Sequence, residues 1–148
     1  MTSLKFSLTD KNLMARFEQD VYYPLLDYLP KQWFVDFEDI ILKFDSSEYL
    51  SFAGLRDKVF ILNIDLNRLE QLMKQHYEQK KEKVAANTVI LGYFANLALI
   101  VTRAFHKYNV DKHPEAVKDT PEQIAYTFMD SVLKNMRRVN NKWQEYTI

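Results

Sequence analysis

Residues 84–108, VAANTVILGYFANLALIVTRAFHKY, decide how the rest of the chain is read. About nineteen residues without a charge separate Lys83 from Arg103, and only Gly92 among them strongly disfavours helix. On a helical wheel Val89, Leu97 and Ile100 take one flank, while Ile90, Phe94 and Val101 take others. A helix that is apolar all round is buried all round, in a protein core or in a bilayer. The bilayer reading is weakened by Asn87, Thr88, Asn96 and Thr102, with Gly92 and Tyr93 diluting the middle. An unpartnered Asn96 near the hydrocarbon centre would cost several kcal/mol. The stretch therefore predicts the central helix of a soluble core, with no membrane span. Asn96 is expected to be buried and hydrogen-bonded, with tyrosine hydroxyls or carbonyls near Pro24 as partners.

Working outward, 148 residues suit one domain spanning 1–148 and can bury a sizeable core. At 47% hydrophobic and 14% aromatic residues, the composition is that of a folded globule. Lysine and arginine balance aspartate and glutamate, so no global field draws the chain to nucleic acid or anionic lipid. The absence of cysteine rules out disulfides and thiolate metal sites and fits a cytoplasmic protein. The opening MTSLKFSLTDKN lacks a continuous apolar run and does not read as a secretory signal. Two glycines, Gly54 and Gly92, are too few for the tight turns of a many-stranded β domain. A mainly α fold follows: a bundle of about five helices around 84–108, with room for a small β-hairpin at 48–64.

Local signals place the other elements. Leu13, Phe17, Val21, Leu25 and Leu29 recur every fourth residue, behind an N-cap at Thr9. Pro24 interrupts that stripe and predicts a kink near Tyr22–Tyr23. Pro30 is expected to open a second helix that buries Trp33, Phe37, Ile40, Ile41 and Phe44. In 48–64 two β-prone runs flank Ala-Gly-Leu-Arg-Asp, which is expected to turn. Asn63 or Asp65 then caps a helix through Leu66, Leu69, Met73 and Tyr77. Thr120-Pro121-Glu122-Gln123 reads as a capping box ahead of a last helix through Ile124, Phe128, Val132, Met136, Val139 and Trp143.

Motifs for chemistry are scarce. Two isolated glycines cannot build a phosphate loop, and no serine sits in a nucleophile elbow. None of His76, His106 or His113 follows an acid at the spacing of helical metal bundles. His106 and His113 bracket Asp111 and Glu115, a conceivable ligand set, but helix-end histidines in solvent explain them as well. Arg103 and His106, one turn apart, are the residues an acid–base enzyme would draw on. No metal, cofactor or catalytic activity is expected.

Two surfaces remain. Between Asp10 and Glu48 nine acids stand against four bases, interleaved with aromatic residues. Asp20, Tyr22, Tyr23, Asp27, Tyr28, Asp36, Glu38 and Asp39 form a candidate face for a basic protein partner, with carboxylates for steering and aromatics for anchoring. At the other end, Lys134, Arg137, Arg138, Lys142 and Tyr146 have the residue types that grip phosphates and stack a base. The leading expectation is a non-catalytic protein-binding module, a small regulator, inhibitor or immunity-type protein. The alternative is a nucleic-acid-associated accessory protein using the C-terminal basic helix.

Overall fold

A computed structural model describes residues 11–45, 51–78 and 86–138. The N-terminal helical rod consists of α1 (Lys11–Phe17), a π turn (Glu18–Tyr22) and α2 (Tyr23–Tyr28). Leu13, Phe17, Val21, Leu25 and Leu29 are all buried along it, as their spacing predicts. Pro24 acts as expected but through a different device. Its ring lacks the N–H that would serve the Asp20 carbonyl, and one turn widens so that Tyr23 N–H donates to Glu18 O. The stripe survives because the rod continues through that turn.

Beyond Leu29 the expected second helix is not formed. Pro30 is extended at φ −55 and ψ 132, and only a single 3-10 turn, Lys31–Phe34, follows it. Residues at 39–43 instead make a strand, β1 (Asp39–Lys43). Ile40 and Leu42 turn toward the core, and Asp39, Ile41 and Lys43 point outward, a period of two rather than 3.6. A strand wins here because β3 (Val59–Ile64) satisfies its backbone groups in parallel register, Ile40 opposite Phe60 and Leu42 opposite Leu62.

The hairpin expected at 48–64 exists across its described residues, as β2 (Ser51–Arg56) antiparallel to β3. Its turn is Asp57–Lys58, both at positive φ (50° and 64°), so only Asp57, the last residue of the run expected to turn, takes part, and Ala53–Arg56 belongs to β2. A two-residue loop with left-handed backbone matches the twist of the paired strands. Gly54 lies within β2, opposite Ile61. The three strands order as β1-β3-β2. Among the described residues the fold is mainly α, four helical rods with this small mixed sheet, and the expected bundle of five helices is not seen there.

Asp65 caps α3 (Leu66–Glu78), its Oδ1 accepting from Arg68 N–H at 3.1 Å. The central helix is α4 (Ala86–Lys112). Val89, Ile90, Phe94, Leu97, Ile100 and Val101 are buried, as expected, but burial is not all round: Asn96, Arg103 and Lys107 share one exposed stripe. Among the described residues Val89–Lys112 is the one stretch long and apolar enough to cross a bilayer, and 61% of its apolar window is buried inside the protein. Thr120 and Gln123 exchange the two bonds of the capping box at 3.2 and 3.1 Å, opening α5 (Pro121–Arg138) against α4. Val139 and Trp143 fall outside the described residues.

Asn96 corrects an expectation. It is exposed, and its amide folds back onto Gly92 O at 2.7 Å. The buried amide of α4 is Asn109, which donates to Phe105 O at 2.8 Å and to Trp33 O at 3.3 Å. The Tyr93 hydroxyl is buried without a hydrogen-bond partner among the described residues. Replacement of Asn96 by alanine is accordingly expected to leave stability within about 0.5 kcal/mol or raise it slightly, since alanine is the better helix former. Chemical denaturation checks this; a loss above about 1 kcal/mol would contradict the exposed position.

Candidate partner-binding groove

Where the π turn faces β1, the chain leaves a groove of about 490 Å³. Glu18, Tyr22, Tyr23 and Leu26 line it from the helical rod. Opposite them stand Phe34, Phe37 and Glu38 from the connecting segment, then Asp39, Ile40 and Leu42 of β1. The two walls differ in kind, a helix surface on one side and a strand edge on the other.

Electrostatics inside the groove are one-sided. Its charged lining residues are Glu18, Glu38 and Asp39. The Tyr22 hydroxyl is pushed up to about 12 by burial, then by Tyr23 and the negative charges of Glu18 and Asp39. It therefore stays a neutral donor at physiological pH. Tyr23 is 56% exposed with its ring 5.3 Å from that of Tyr22, so one tyrosine forms the floor and the other the rim. Lys58 lies 3.6 Å from Glu38, but both side chains are open to water, where such a pair contributes little. The backbone holds the same corner more firmly, with Glu38 N–H donating to Lys58 O at 2.7 Å.

Of the eight residues expected to form one acidic–aromatic face, Tyr22, Tyr23, Glu38 and Asp39 meet in the groove. Asp20 and Asp27 lie on the rod outside its lining. Tyr28 turns to α5, its ring 5.4 Å from Phe128. Asp36 leaves the face altogether. Its Oδ2 accepts from Tyr108 OH and from His113 Nε2, each at 2.8 Å. Glu18, Leu26, Phe34, Phe37, Ile40 and Leu42 complete the lining without having been expected on this face, and the continuous apolar run Ile40-Ile41-Leu42 carried no signal that β1 would be a strand.

The Asp36 cluster clamps three segments: the stretch before β1, the end of α4 and the loop after it. The His113 and Tyr108 bonds hold the Asp36 carboxyl below the usual carboxylate range. Burial, then Asp36, pushes the Tyr108 hydroxyl up to about 12. Asp36, with a folded value below its unfolded one, stabilises at neutral pH and loses that contribution as pH falls through the folded value. Tyr108 has the opposite sign: its contribution is complete below about 10 and is lost as pH rises toward about 12. Asp36→Asn is expected to flatten the acid limb of the stability profile and Tyr108→Phe the alkaline limb, as read by thermal melts across pH. Unchanged limbs in both variants would remove the clamp.

The residues considered for catalysis are each occupied elsewhere. Arg103 bonds Glu122 Oε1 at 2.8 Å and draws that carboxyl below its usual range. His106 Nε2 donates to Asp119 O at 2.9 Å, and its ring stands edge-on to Trp33. With His113 on Asp36, the ligand set considered around His106, Asp111 and Glu115 does not assemble; among the described residues no group of three or more such side chains is placed to hold a metal. On the basic helix, Lys134 is exposed, Arg137 and Arg138 end α5, and Lys142 and Tyr146 lie outside the described residues. No family model, curated protein or solved structure matches this chain, so its function is read from its own geometry.

Proposed function

We propose that this chain is a non-catalytic binding module, a small regulator, inhibitor or immunity-type protein that takes a basic protein segment into the groove beside β1. The observation that carries this reading is the lining itself: Glu18, Glu38 and Asp39 supply only negative charge, beside the aromatic rings of Tyr22, Tyr23 and Phe37. Carboxylates raise the association rate of a cationic partner, and aromatic rings anchor it once it arrives. Lysine and arginine suit both demands, since their stems lie along rings while their heads reach carboxylates.

A labelled octapeptide alternating lysine with valine tests this. It is expected to bind in a salt-sensitive manner, while its glutamate–valine counterpart does not. The double variant Glu38→Lys, Asp39→Lys should bind it at least about tenfold more weakly at low salt with an unchanged melting temperature. Asp36 is left out of that variant because its carboxylate is committed to Tyr108 and His113. Binding that ignores the double variant would overturn the groove reading.

A further inference from the structure

Resting on that reading, we infer that the occupant is an extended basic segment that pairs as an added strand along the outer edge of β1. The sheet order β1-β3-β2 makes β1 an edge, and among the described residues no strand lies on its far side. A strand edge presents a row of backbone donors and acceptors, and another chain can complete that row. Here the edge opens into the groove. Asp39, Ile40 and Leu42 line the groove, and the helical rod stands across from them. A segment lying in the groove therefore has backbone on one side of it and aromatic and aliphatic side chains on the other.

The pleat fixes what side chains such a segment needs. Ile40 and Leu42 face inward, and Ile41, 37% exposed, faces out with Asp39 and Lys43. An added strand continues both faces, so alternate residues drop onto Leu26, Phe34 and Phe37 while the others stay near the rim. Apolar residues suit the first set and lysine or arginine the second. Charge also runs along the strand, from Glu38 and Asp39 at its start to Lys43 at its end, so cations belong beside the start. The edge is guarded meanwhile. Asp39 Oδ1 holds Ile40 N–H at 2.8 Å, and a charge on an edge strand discourages indiscriminate pairing. A cationic side chain that draws this carboxylate away frees the amide beneath it. The other edge, β2, ends at Arg56 and lines no part of this groove.

Backbone methylation of the lysine–valine octapeptide separates strand pairing from charge capture. Two versions carry N-methyl groups on alternate amides, one set on each edge of the extended peptide, with side chains unchanged. Strand addition is expected to weaken one version at least tenfold and to leave the other within twofold of the parent. If both versions bind like the parent, and all three still fail on the Glu38→Lys, Asp39→Lys protein, the groove captures cations without pairing and the strand inference falls alone. If the parent peptide does not bind, or binds the double variant equally well, the groove reading falls with it. Circular dichroism of the double variant confirms that it is folded before either outcome is read.

Discussion

Trp33→Ala is expected to destabilise the protein by about 3–5 kcal/mol, the usual range for deleting a large buried aromatic side chain. The indole is 1% exposed on the 3-10 turn, and its N–H donates to Ala116 O at 3.0 Å, eighty-three residues along the chain. Asn109 on α4 donates to the Trp33 carbonyl, so one residue engages both the central helix and the loop beyond it. Truncation opens a cavity and leaves the Ala116 carbonyl without that donor. Trp33→Phe keeps most of the packing and should cost less, about 1–3 kcal/mol. Chemical denaturation of both variants measures the two effects separately. Equal losses would mean that the hydrogen bond carries the residue's whole contribution and the ring volume none.

The same residue shows where local sequence signals stop. Trp33 is buried, as expected, but it does not lie on the helix expected to bury it. The features legible in the sequence are those that adjacent residues settle among themselves. Thr120 and Gln123 make a capping box within one turn, and Leu13 to Leu29 mark one face of one rod. The apolar run of 84–108 needs no partner to declare itself core. Ile40-Ile41-Leu42 has no such autonomy, because a short apolar run serves a helix or a strand equally well. Its parallel partner begins twenty residues later, after the hairpin turn, and that tertiary pairing decides between them.

Asn96 failed for a related reason. A helix that is apolar all round gives its wheel no obvious outward side, so an amide within it has no evident face. The signal lay beyond the uncharged window: Arg103 and Lys107 follow Asn96 at seven and eleven residues, on the same exposed stripe. The acidic–aromatic groove was legible in four of its ten lining residues. Tyr22, Tyr23, Glu38 and Asp39 stood out by residue type, whereas Asp36 was separated from them by His113 and Tyr108, partners more than seventy residues away.

Phe60→Ala carries a second effect of about 3–5 kcal/mol and tests whether the sheet is two-faced as described. Phe60 is 1% exposed at the centre of an aromatic cluster, stacked on Phe105 of α4 at 4.7 Å and 4.8 Å from Phe37. Its loss removes the contact that seats β3 on the central helix and the support behind Phe37 in the groove wall. Ile41, on the neighbouring strand, points to the opposite face, and Ile41→Thr should change stability by no more than about 0.5 kcal/mol. Phe60→Leu refills much of the volume and keeps a folded protein in which the groove can still be assayed. Because Phe37 lines the groove and rests on Phe60, that variant should also bind the lysine–valine peptide more weakly, whereas Ile61→Val, on the outer face of β3, should not. Denaturation and peptide titration together distinguish a groove built on the aromatic cluster from one carried by Glu38 and Asp39 alone. In the second case Phe60→Leu would lower stability and leave affinity untouched.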